Sequence, residues 1–111
     1  MSHFKNKYDD LVLYLKGVAE NIDPELILKV LYLEKKLPDA PPHVEMKISL
    51  KPGVSVGKKQ NDLSVVFGFQ TSKLNDHEVL AVGRMSMQEI AIIAKDSEIT
   101  MIAGNATPAS F

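Results

Sequence analysis

The sequence predicts an α+β fold, in which an N-terminal helical hairpin packs on a small, mainly antiparallel sheet and a short helix precedes the last strand. Three observations carry this prediction. Apolar residues recur every three or four positions as far as Leu37, the period falls to two from Val44 onward, and the tetrad Ser86-Met87-Gln88-Glu89 matches a helix capping box within the strand-rich half. At 111 residues with 45% hydrophobic and 24% charged side chains, the chain fits one domain with one core. The predicted layout is a helical pair over 4–37, a proline-rich connector over 38–42, a strand-rich region over 43–103 and a loose tail over 104–111.

The first helix follows from Phe4, Tyr8, Leu11, Leu15, Val18 and Ile22, with Val12 and Ala19 widening the stripe. Asp23-Pro24 then provides an N-cap and a proline at the first helical position, so a second helix over 24–37 starts almost at once. Such a short link forces the two helices into a tight corner or hairpin. The second helix carries three apolar rows: Leu26, Val30, Leu33 and Leu37; Ile27 and Leu31; Leu28 and Tyr32. A helix apolar over so much of its circumference is either sandwiched between layers or contacts another chain.

Pro38-Asp39-Ala40-Pro41-Pro42 stops the helix. Val44, Met46, Ile48 and Leu50 alternate with Glu45, Lys47, Ser49 and Lys51, as in a half-buried strand. Pro52-Gly53 turns the chain, residues 57–62 are expected to form a polar loop, and Leu63, Val65, Phe67 and Phe69 to form the inward row of a strand. A loop is expected over 71–76 and a third strand over 78–84. In the last quarter the capping box favours a helix followed by a strand over 98–103, although the β-branched Ile90, Ile92 and Ile93 leave a hairpin open.

Composition narrows the possible chemistry. Thirteen basic and fourteen acidic residues leave a formal charge of −1, so no global field draws the chain to nucleic acid or an anionic membrane. The absence of cysteine removes disulfides, thiolate nucleophiles and Cys-ligated metal sites. No apolar run reaches the roughly 18 residues of a membrane span and the first residues do not read as a signal peptide, so a cytoplasmic protein is expected.

No catalytic motif emerges. Gly53-Val-Ser-Val-Gly57-Lys58-Lys59 resembles a phosphate loop, but it has three residues between the glycines where four are needed, and it lacks Ser or Thr after the lysine. In Asp76-His77-Glu78 consecutive side chains diverge, and the other histidines, His3 and His43, lie in separate segments. No serine sits in a Gly-x-Ser-x-Gly elbow. No catalytic residue, cofactor or metal site is therefore assigned.

Two interaction surfaces stand out instead. The outward arc of the second helix, with Leu28, Tyr32, Lys35 and Lys36, suits contact with another protein or with a second copy, most simply in a homodimer. Lys47 and Lys51 on the first strand, with Lys58 and Lys59 in the following loop, form a strip suited to phosphate contact, which gives a nucleic-acid-binding alternative. That strip lacks exposed aromatic residues for base stacking. An enzyme or small-ligand binder using His77 is the third possibility. A non-enzymatic interaction or oligomerisation module is the leading expectation.

Overall fold

The computed structural model describes residues 20–109. In chain order these form α1 (Pro24–Lys36), β1 (His43–Leu50), α2 (Val56–Phe67), β2 (Gln70–Asn75), β3 (Glu78–Arg84), α3 (Met87–Ala94) and β4 (Ile99–Thr107). The α+β class, the antiparallel sheet and the short helix before the last strand are all present. The expected first helix of the hairpin lies outside the described residues.

The strands form one sheet in the order β2-β3-β1-β4, with every neighbouring pair antiparallel. Its register explains the core. Ile48 lies opposite Val79 on one side and Ile102 on the other, while Met46 lies between Ala81 and Gly104. Because side chains alternate across a strand, this row points to one face, and it shares a single buried cluster with residues from all three helices. The helices therefore cover one face of the sheet. The opposite face keeps Lys47, Ser49 and Glu78 in a polar lattice, where Ser49 donates to Glu78 and Lys47 pairs with it at 3.6 Å.

Asp23 caps α1 by accepting from the Glu25 amide, as the Asp-Pro signal requires. Just before it, the Asp23 amide donates to Ile102 O and the Ile102 amide to Asn21 O, which protects part of the outer edge of β4. The Asn21 side-chain amide donates to Ala94 O and Ile99 O and so fixes the α3–β4 loop to this edge.

The structure departs from the sequence expectations in three places. The loop over 57–62 and the first part of the strand after it are instead the helix α2. Ser55 caps it through the Lys58 amide, and Gly68 ends it in the left-handed region at φ 74°. Val56, Lys59 and Leu63 make its buried side, while Val65, assigned inward by an alternating pattern, is 74% exposed. The loop over 71–76 is the edge strand β2, which has no apolar alternation because neither face of it is deeply buried. The first residues of the tail expected over 104–111 belong instead to β4, which runs to Thr107, paired with His43 of β1.

Candidate functional site

On α1, Leu26, Ile27, Val30 and Leu33 are buried against the sheet and α3. The third apolar row turns outward: Leu28 is 39% and Tyr32 52% exposed, and Leu37 beyond the helix is also exposed. Lys36 lies 5.2 Å from the centroid of the Tyr32 ring, within cation–π range. Lys29, Lys35 and Lys36 are exposed on α1, as is Glu25, while Glu34 is half-buried. The four residues assigned to a protein contact thus share one exposed arc that combines apolar surface with lysines.

The lysine strip divides. Lys47 extends from the central strand β1, paired with Glu78, and Lys51 follows that strand. Lys58 is exposed on α2, but Lys59 one position on is 6% exposed and turned inward. Its ammonium donates to Asp96 Oδ2 at 2.5 Å and to Glu98 Oε1 at 2.8 Å. Burial disfavours that ammonium, yet the two carboxylate bonds outweigh it and raise its pKa above the ordinary lysine value. Lys59 therefore drops out of the phosphate-binding set, because both of its strong interactions are taken within the fold. The structure puts Gly57, Lys58 and Lys59 in the first turn of α2, where the glycine spacing is still wrong for a phosphate loop and Lys59 is engaged elsewhere.

Lys59 closes one end of a feature the sequence did not reveal, a groove between α2 and α3 enclosing about 160 Å³. Leu63, Phe67, Ile93 and Ile99 form its floor, and Val66 and Ile92, 71% and 50% exposed, form its lips. Asp62 and Asp96 lie at its margin. Sites that enclose drug-sized ligands run to roughly 300–1,000 Å³, so this groove holds one or two side chains. Ser55 and Gly68 as helix caps, with Val56, Lys59 and Leu63 at helical spacing between them, are the signal that could have exposed it.

His77 sits on the exposed turn between β2 and β3, where its amide donates to Asn75 Oδ1. Asp76 is paired with Lys73, and Glu78 accepts from Asn75 and Ser49. The Asn75 hydrogen bond is the main cause of a lowered Glu78 pKa; burial opposes it, and Lys47 and Ser49 add to the lowering. Among the described residues no three His, Asp or Glu side chains gather as a metal site. No helix among them is long and apolar enough to cross a membrane.

Compared with protein-family models, with curated proteins and with solved structures, the chain matches none.

Proposed function

We propose that this chain is a protein-interaction module that acts by self-association through the outward arc of α1. The observation that supports this most directly is the position of Tyr32: a large, rigid, amphipathic side chain, half exposed on the same helical row as Leu28, on a helix whose Leu26, Ile27, Val30 and Leu33 are already buried. Tyrosine gives much contact area for little conformational entropy, and aromatic residues are enriched at protein interfaces. A cytoplasmic setting belongs to this reading, a reducing compartment being compatible with a cysteine-free chain.

Sedimentation or light scattering across a dilution series tests it. The expected result is a dimer mass at tens of micromolar that falls towards the monomer on dilution, with dimerisation weakened by Tyr32→Glu. A monomer mass throughout that range would remove this reading.

A further inference from the structure

We propose that Lys59 and Asp96 are the reactants of an intramolecular amide bond, which ties the first turn of α2 to the α3–β4 loop with Glu98 as the proton-transfer group. This modification of the chain by itself is independent of self-association.

The three side chains make the constellation that acyl transfer to an amine requires. Lys59 Nζ, the nucleophile, lies 2.5 Å from Asp96 Oδ2. A C–O bond of about 1.2 Å then puts the carboxyl carbon no more than about 3.7 Å from Nζ, close to the separation from which bonds form. The other oxygen, Asp96 Oδ1, accepts from the Glu98 amide at 2.9 Å. That backbone donor fixes the carboxyl group and is placed to hold the negative charge that develops on Oδ1 during attack. Glu98 Oε1 accepts from Nζ at 2.8 Å, within reach of the proton the amine has to lose.

The step balances within these groups. One ammonium proton passes across the short contact to Oδ2, and the neutral Nζ attacks the Asp96 carboxyl carbon. Glu98 takes a second proton from nitrogen as the N–C bond forms and returns it to Oδ2 as the C–O bond breaks. Oδ2 therefore leaves as water, Glu98 ends as the carboxylate it began as, and no oxidant or co-reactant is needed.

Burial sets the pace. Lys59 is 6% exposed, and both reactants line the α2–α3 groove with Leu63, Ile93 and Ile99. Burial is the largest single influence on each and favours the uncharged forms, which are the reactive ones. The hydrogen bonds outweigh it, so the ion pair is the resting state and the neutral pair a minor one. Bond formation is therefore slow, and until it occurs the two charges act as a salt bridge. Oriented intramolecular reactants reach effective molarities of about 10⁵ M or more, which draws the condensation forward against water. The product closes a loop of 37 positions in a chain without cysteine, and so constrains the unfolded ensemble as a disulfide would.

Intact mass spectrometry of the full chain, incubated for days at neutral pH, tests the proposal. The expected result is a species lighter by one water molecule that accumulates with time, and that yields a tryptic peptide over 59–73 joined to the one beginning at Asp96. Lys59→Arg keeps a cation but has no amine to acylate, so it should hold its full mass; circular dichroism checks its fold. Glu98→Gln should form the lighter species about 100-fold more slowly, the usual minimum contribution of a general acid–base group. A parent chain that keeps its full mass overturns the proposal. The same loss of water in Lys59→Arg overturns it too, as does a loss mapped to a succinimide at Asp96-Ser97, where Asp96 has closed on its own backbone. Equal rates for Glu98→Gln and the parent overturn the role given to Glu98.

Discussion

Lys59 in the first turn of α2 holds Asp96 Oδ2 at 2.5 Å, and through it the loop between α3 and β4. Burial opposes ionisation of Asp96, but the Lys59 hydrogen bond, the Glu98 amide and the lysine charge together hold its carboxyl below the usual range. The same ammonium reaches Glu98, so one buried cation organises two carboxylates.

This arrangement predicts acid sensitivity with a definite sign. A carboxyl whose folded pKa is depressed contributes stability that is present above its unfolded value of about 4 and is lost as pH falls through the lower folded value. Lys59, raised, contributes stability that is complete below its unfolded value of about 10.5 and is lost as pH rises through the folded one. Lys59→Met should cost about 1–3 kcal/mol at neutral pH, between the values for exposed and fully buried pairs, because it leaves two carboxylates facing each other. Urea unfolding from pH 7 to pH 3 checks this. The variant should lose less stability on acidification than the parent, and parallel curves would reject the role given to Lys59.

The N-terminus of α3 makes a second prediction. Ser86 accepts from the Glu89 amide and Glu89 returns a bond to the Ser86 amide, while Glu34 of α1 accepts from the Met87 amide at 2.5 Å. Ser86→Ala should cost about 1 kcal/mol. Glu34→Gln keeps an acceptor oxygen and should cost less than Glu34→Ala, which leaves the Met87 amide without a partner. Equal losses for the two Glu34 variants in chemical denaturation would show that the bond contributes little.

Much of this fold was legible because its signals are local. Asp23-Pro24, the alternation over β1 and the capping box at Ser86 each specify an element within a few residues, and each element is present. At α2 two signals competed: Leu63, Val65, Phe67 and Phe69 alternate as a strand would, and a helical spacing linked Val56, Lys59 and Leu63. Tertiary burial selects the helix, since it places Leu63 in the core and lets Lys59 reach Asp96 and Glu98. Those partners lie 37 and 39 positions away, beyond any local pattern. The arc on α1 was legible for the opposite reason, because an excess of apolar residues on one helix is visible in its own periodicity. The groove was not, since its walls come from three segments joined only by folding.

Binding to nucleic acid is predicted to be weak at physiological salt. With Lys59 engaged inside the fold and Lys47 paired with Glu78, Lys51 and Lys58 alone remain from the expected strip without a carboxylate partner among the described residues. So few phosphate contacts release few counterions, and their contribution falls steeply with salt. Fluorescence anisotropy with single- and double-stranded probes checks this. Submicromolar binding that persists in 150 mM salt and is abolished by Lys47→Glu with Lys51→Glu and Lys58→Glu would reinstate the nucleic-acid reading.

Two glycines should respond to substitution to different degrees and for different reasons. Gly53 has φ 88° with open space where a side chain would point, so only the backbone conformation resists a larger residue. Gly53→Ala should cost about 1–2 kcal/mol, and Gly53→Asn less, since asparagine tolerates the left-handed region. Gly104 lies opposite Met46 in the β1–β4 ladder, where a Cβ would fall inside the carbonyl oxygen of Glu45 and 3.0 Å from the Met46 Cα. Backbone on the central strand cannot move aside as a flexible side chain can, so Gly104→Ala has to displace β4 from β1. The expected loss is about 3 kcal/mol or more, with no relief from Gly104→Asn. Denaturation midpoints of the four variants decide the matter: a Gly104→Ala protein as stable as Gly53→Ala would show that β4 can shift without loss, and the close packing assigned to this part of the ladder would have to be abandoned.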